Sequence, residues 1–327
     1  MLTDFPINID TVCFKLKCEL TPELYEQWET KIYSFGLIKY VQTRRLVGGS
    51  SISFRYYPDF ACLSILVDSV PALIYGNSQI LYCEEDYQYF KECIVDTLND
   101  AIGLIYGNGF SSDVLDDAIM NRFDLNQDYY FTDKNNEIRF RKWLELFKLP
   151  YANQIIYETG GKKTRKALNL TYYSKDDQAA AKKNQYLNLF GDYCTRIEFQ
   201  FKHSFLYRQP KLKLKDLLAN KEIKEHYFKS NLKKINLDGE IMNRARLETF
   251  LKLSTNNSHK KSYIENIRAF YLDLGKYGIV KMQLKCKSFY YYLKIAKVNK
   301  KVPIRINDYV FKELKALKEK IYYSFNF

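Results

Sequence analysis

The sequence predicts an α/β protein of the α+β kind: a mainly antiparallel sheet with helices on one face, followed by a basic, mainly helical region. Three observations carry this. Residues 9–202 contain short runs of alternating apolar and polar residues, bounded by Gly, Pro and Asp, as strands do. Stretches with helix-start signals interrupt these runs. After Pro210 the strand signals fade and Lys-rich helical periods take over.

Ile9–Cys18 alternates as a half-buried strand does. Thr21-Pro22-Glu23 starts a helix, with Thr as N-cap and Pro at the first helical position; it is expected to run to Phe35 and stop at Gly36. Strands are expected near 38–46, 51–57 and 62–67, with turns at Gly48-Gly49 and Pro58-Asp59. Asp68-Ser69 and Pro71 end the third of these, and Tyr75-Gly76-Asn77 reads as a turn. Glu84-Glu85-Asp86 places acid at the start of a helix reaching Gly103.

Residues 117–128 read as a central strand. Met120, Arg122 and Asp124 fall on one face, and Asn121, Phe123 and Leu125 on the other. A short helix over 137–147 follows. Next come two strands joined by a turn at Gly160-Gly161, a helix over 176–189, and a strand over 193–202. In the basic region Ser262-x-x-Glu265 forms a capping box, 288–298 is a further helix, and Asp308 caps a last one. A boundary near 210 divides the chain into domains 1–210 and 211–327.

The 327 residues include 46% apolar and 16% aromatic ones, enough for a substantial core. No apolar run approaches the roughly 18 residues of a membrane span. The first residues lack the basic-then-apolar pattern of a signal peptide. Seven cysteines with no CxxC spacing argue for free thiols in a reducing cytoplasm, not for a zinc site or a disulfide framework. Net charge is +13, with +18 in residues 201–327 and −5 in residues 1–200. That asymmetry calls for a polyanionic partner, nucleic acid first.

Strand alternation also gathers candidate chemistry. Leu168, Leu170 and Tyr172 take the core side of their strand, leaving Tyr173 and Lys175 on the open side. Ile197, Phe199 and Phe201 take the core side of the last strand, leaving Arg196 and Glu198 open. If these strands neighbour the central one, a single face collects Asp124, Glu198, Tyr173, Lys175, Arg122 and Arg196. Two carboxylates can hold Mg²⁺ or Mn²⁺, a tyrosine hydroxyl can attack phosphorus, and cations offset phosphate charge. The basic turn Lys162, Lys163, Arg165 and Lys166 could track a DNA backbone. Plainer readings compete. The chain has 29 tyrosines, Arg-x-Asp and Arg-x-Glu are common cross-strand ion pairs, and basic hairpins are commonly just solvated. His203, His226 and His259 are isolated, and His203 reads as structural.

The ordered series resembles the replication initiators of filamentous phages and related plasmids, the gene II/X family of rolling-circle nickases. The resemblance covers roughly residues 9–205. It is carried by IDTV at 9–12, LSILVDSVPALIYGN at 63–77, MNRFDLN at 120–126, RKALNLTYYSK at 165–175 and TRIEFQF at 195–201. It implies an HUH-nuclease-like fold, here without a His-x-His pair. It implies Tyr173 as nicking tyrosine two residues before Lys175, and Asp124 and Glu198 as metal ligands. It further implies Mg²⁺ or Mn²⁺ as cofactor, origin DNA (single-stranded or supercoiled duplex) as substrate, and a bacterial host's helicase and polymerase as partners. Two positions depart from the family pattern. Gln178 stands where an acid follows the lysine, with Asp177 the nearest substitute, and Ala72 stands in place of a lysine. The competing class is a non-catalytic single-stranded DNA- or RNA-binding protein whose aromatics stack on bases.

Overall fold

The computed structural model describes residues 6–234, less 33–35, 47–49, 78–79, 104–109, 146–151, 158, 182–192 and 209–210, together with 241–242, 249, 265–270, 273, 286–287, 291 and 304–305. The fold is α+β. Ten antiparallel strands form one sheet: β1 (Asn8–Lys17), β2 (Glu29–Ile32), β3 (Ile38–Arg45), β4 (Ser51–Tyr57), β5 (Cys62–Val67), β6 (Ile119–Phe131), β7 (Asn153–Tyr157), β8 (Gly160–Thr164), β9 (Leu168–Ser174) and β10 (Tyr193–Phe201). Their order is β2-β3-β4-β5-β1-β6-β10-β9-β8-β7, so β1, β6 and β10 lie at the centre.

One face of the sheet is apolar and carries the helices. Phe54, Phe123, Leu125, Tyr129, Ile197 and Phe199 are fully buried there. Helix α3 (Tyr87–Ala101) accepts the Trp28 indole N–H at the Ala101 carbonyl, 3.2 Å away. Helix α4 (Lys134–Leu144) sets Phe140 against Tyr129 and Phe131. Helix α8 (Lys221–Lys234) places Tyr227 edge-on to Phe123 and Phe201, and Phe228 edge-on to Phe199. Helix α7 (Leu214–Leu218) adds the buried Leu214, Leu217 and Leu218. The hydrophobic core therefore continues past position 210, and Ile119 even bridges to Lys213.

Several local expectations are corrected. The helix from Thr21 ends after one turn, as α1 (Pro22–Tyr25), and Glu29–Ile32 is the edge strand β2. Tyr25 packs against Tyr40 and Tyr56, which anchors the turn; pairing with β3 then takes the following residues. Val70–Tyr75 forms helix α2, where only a strand end and a turn were expected. Ser69 caps it by accepting the Ala72 N–H, Pro71 sits in the first turn where its missing N–H costs nothing, and Gly76 closes it at φ 67°. Residues 265–270 are helical and bury Ile267 and Phe270. The expected helices at 288–298 and after Asp308, and residues 182–189 of the helix from 176, lie outside the described residues, apart from Tyr291.

The largest correction concerns Gly160-Gly161. These residues are not a turn. They begin β8, which pairs with β7 on one side and β9 on the other. Gly161 lies beneath the Tyr172 ring. A Cβ on Gly160 would collide with the Tyr172 carbonyl oxygen and reach 2.8 Å from the Tyr173 Cα. Only glycines let β8 approach the two tyrosines this closely. Gly160→Ala is expected to lower unfolding free energy by about 1–3 kcal/mol, since backbone must move to admit the methyl; urea unfolding checks this, and an unchanged midpoint would refute it.

Candidate active site

Two departures from regular pairing shape the polar face of the sheet. In the β1–β6 register, Ile9 faces Leu125 and Val12 faces Phe123, so Asp10 and Thr11 stand opposite Asp124 alone. This bulge puts Asp10 on the polar face while Ile9 and Val12 both stay in the core. A second shift, between Cys13 and Phe14, leaves Asn121 extra on β6. Met120 is thereby turned into the core, not onto the face of Arg122 and Asp124 as expected.

From there the face builds by alternation. Strand β6 contributes Arg122, Asp124, Asn126 and Asp128. In register on β10, Gln200 faces Asp124, Glu198 faces Asn126 and Arg196 faces Asp128. On β9, Asn169, Thr171 and Tyr173 face Gln200, Glu198 and Arg196. Lys175 follows as the first residue of helix α5 (Lys175–Ala181). All six residues expected on one face are therefore on it. Asp10, Asn126 and Asp128 join them unforeseen.

The Tyr173 hydroxyl donates to Glu198 Oε2 at 3.3 Å. Arg122 grips Asp124 with Nε to Oδ1 at 3.0 Å and Nη2 to Oδ2 at 2.5 Å, and Gln200 donates to the same Oδ2 at 3.2 Å. Arg196 forks onto Asp128 at 2.6 and 2.7 Å and reaches Asp10 Oδ2 at 3.3 Å. Asp124 is 2% exposed, Asn126 1% and Arg196 1%. Such burial strengthens every charge interaction in the site.

Electrostatics follow from that burial. Glu198 is pushed up to about 7, first by desolvation, then by the negative charges of Asp124 and Asp10. Asp124 is raised by burial against the pull of Arg122. Burial alone would raise Asp128, but the Arg196 guanidinium holds it below the usual carboxylate range. Tyr173 lies well above the ordinary phenol value because of burial and the Glu198 charge. Lys175 is lowered by burial and by Arg196.

The Glu198 shift has a definite sign. A carboxyl raised in the folded state binds more protons folded than unfolded between pH 4.5 and about 7. Its contribution to stability is present at low pH and is lost as pH rises through that window. Around it stand Asp10 from β1, Asp124 and Asp128 from β6, Arg196 from β10, Tyr173 from β9 and Lys175 from α5. In chelator-treated protein, Glu198→Gln is expected to flatten the fall in urea midpoint between pH 5 and pH 8. A slope equal to that of the wild type would remove Glu198 as its source.

Other expected residues are placed differently. Lys163, expected on a DNA-tracking turn, points to the helix face and is 1% exposed. Its ammonium donates to the Leu144 carbonyl at 3.1 Å, at the end of α4, and lies 5.6 Å from the Tyr172 ring centre. It is a helix C-terminal cap, not a surface phosphate contact. Arg196 is an internal counter-ion, where an exposed phosphate contact was expected. Lys162 does lie on the polar face, beside Lys202, which sequence alone did not single out. Burial, Lys162 and Arg122 together lower the Lys202 ammonium. Arg165 is half-buried and Lys166 is exposed on the turn between β8 and β9. Asp177, the expected stand-in acid, pairs with Lys134 at 2.9 Å and Arg141 at 3.6 Å on the α4 side, away from Glu198. His203 is exposed at the start of helix α6 (His203–Leu206).

Tyr172 points the other way from Tyr173. It lines a cavity of about 580 Å³ with Lys134, Arg141, Lys142 and Asp177, and its hydroxyl has no hydrogen-bond partner among the described residues. As to metal ligands, both oxygens of Asp124 are already engaged. Among the described residues no three His, Cys, Asp or Glu side chains converge on one point. Glu198 and Asp10 each keep an oxygen with no hydrogen bond among the described residues, which fits a hard cation. No helix among the described residues is long and apolar enough to cross a membrane. Neither known protein-family models nor curated proteins show a match to this chain.

Proposed function

We propose that this chain is a rolling-circle replication initiator that nicks and rejoins one strand of origin DNA through a covalent 5′-phosphotyrosine at Tyr173. The observation carrying the reading is the hydrogen bond from the Tyr173 hydroxyl to Glu198, which sets a nucleophile within reach of a base. Tyr173 holds its proton tightly, so attack needs an acceptor, and the Glu198 carboxylate that already takes its hydrogen bond is the group in place. The phenolic oxygen bonds to phosphorus as the bond from phosphorus to the 3′ oxygen breaks. Glu198 takes the phenolic proton, and the departing 3′ oxygen takes one from solvent. Reversal by the 3′-OH restores the phosphodiester. The bond energy stays in the ester, so rejoining needs no ATP.

Lys175 offsets the charge of the attacked phosphate. Arg122, with its side chain 36% exposed, and Lys162 and Lys202 suit the flanking backbone. A divalent cation such as Mg²⁺ or Mn²⁺, held through Glu198, supplies Lewis-acid polarisation of a phosphate oxygen. The antiparallel sheet with helices on one face is read as HUH-nuclease-like. The basic residues beyond 210 are read as a DNA-binding region giving salt-sensitive affinity, in a bacterial cytoplasm with the host helicase and polymerase as partners.

The alternative, a protein that stacks single-stranded bases without cutting, draws less support. Phe123, Tyr129, Phe131, Tyr172, Phe199 and Phe201 are spent on the core face. The test is direct. Incubated with single-stranded origin oligonucleotides and Mn²⁺ or Mg²⁺, the protein should give an SDS-stable protein–DNA adduct. No adduct across candidate origins would overturn the reading.

A further inference from the structure

We propose that Asp10, Asn126 and Glu198, and not the Asp124–Glu198 pair, form a divalent-cation site on the polar face. The inference rests on the phosphoryl-transfer reading for the site's purpose, though its geometry is independent of it. The bulge in β1 exists at the one place where it turns Asp10 toward β6 and β10. Arg196 confirms the reach, touching Asp10 from two strands away. Asn126 faces Glu198 on one side and Asn8 on the other, so its amide lies between the two carboxylate-bearing strands.

Asn126 is the independent sign of a ligand. It is 1% exposed, yet neither Oδ1 nor Nδ2 has a hydrogen-bond partner among the described residues. Buried amides are normally satisfied, and an orphaned one requires a reason. Charge supplies a second argument. Arg122 neutralises Asp124 and Arg196 neutralises Asp128. That leaves Asp10 and Glu198 with Lys175 and a share of the Arg196 guanidinium, which is already forked onto Asp128, so the pair keeps an excess of negative charge. Two carboxylates and an amide oxygen, with room for water, are the donors that Mg²⁺ and Mn²⁺ prefer. Asn126 Oδ1 would ligate the cation, leaving Nδ2 to donate to an oxygen of the bound phosphate.

Titration calorimetry of the full chain with MnCl₂, without DNA, tests this. The wild type should bind one Mn²⁺ per chain. Asp10→Asn and Glu198→Gln should each weaken binding by about tenfold or more, and Asn126→Leu should weaken it measurably. Asp124→Asn should stay near the wild-type affinity. In EDTA, Asp10→Asn should unfold close to the wild-type temperature, because loss of the Arg196 ion pair is offset by relief of repulsion with Glu198 and Asp124; lost Mn²⁺ binding is then not lost folding. Wild-type affinity in Asp10→Asn, binding abolished by Asp124→Asn alone, or no saturable Mn²⁺ binding would each overturn the site. An adduct with origin DNA alongside Mn²⁺ binding indifferent to Asp10 would sink this inference and leave the nickase standing. Mn²⁺ binding that depends on Asp10, with no adduct, would do the reverse.

Discussion

Tyr173→Phe is expected to abolish the protein–DNA adduct and to lower strand cleavage by at least about three orders of magnitude, as loss of a covalent nucleophile does. The substitution removes one oxygen. It leaves the ring, and the β9–β10 pairing that sets Tyr173 opposite Arg196, in place. Among the described residues the only hydrogen bond lost is the one to Glu198, so unfolding by urea should shift little. Tyr172→Phe is the matched control. Its hydroxyl already lacks a partner among the described residues and lies on the opposite face, so adduct formation should persist. An adduct that survives in Tyr173→Phe and disappears in Tyr172→Phe would move the chemistry to the α4 cavity. Equal loss in both would point to a merely structural requirement for the tyrosine pair.

Arg196→Met is expected to cost about 3–5 kcal/mol of folding stability, the usual range when one partner of a buried ion pair is deleted. The guanidinium is 1% exposed and holds Asp128 by two hydrogen bonds and Asp10 by one. Without it, a buried Asp128 faces low dielectric with Lys175 as its remaining cation nearby. The double variant Arg196→Met/Asp128→Leu should recover most of the loss, since an apolar pair of similar volume removes both charges together. Equilibrium urea unfolding measures both. A single-variant loss below about 1 kcal/mol would refute the assignment, as would a double variant no more stable than the single one.

What sequence could and could not reveal follows from periodicity. Strands with an unbroken period of two, such as Ser51–Tyr57 and Tyr193–Phe201, were legible, and so was the shared face of Arg196, Glu198 and Tyr173. Asp10 was not, because the bulge breaks the period at that residue. Lys163 was misplaced because two glycines resemble a turn, whereas here they make room for Tyr172 and Tyr173. Asp128 lies in the middle of β6, but the strand was expected to stop there. The helix expected from Thr21 failed for a different reason: capping signals are local, and pairing of 29–32 with β3 outweighed them. Asn126 was passed over because an asparagine in a strand carries no mark of its own. Its burial without partners appears only once β1, β6 and β10 are side by side.

The central position of β1 has a consequence for synthesis on the ribosome. The first strand made pairs with β5, some 50 residues later, and can close onto the β2–β5 meander early to give the five strands β2-β3-β4-β5-β1. Its other edge stays open until β6 arrives over 100 residues after β1, and β6 in turn waits for β10. Contacts of such sequence separation form slowly, and an open strand edge invites pairing with other chains in the meantime. The constellation around Tyr173 thus closes only after residue 201 has emerged. A chain that ends before β10 lacks Arg196 and Glu198, so Asp10, Asp128 and Tyr173 are left without the groups that hold them together.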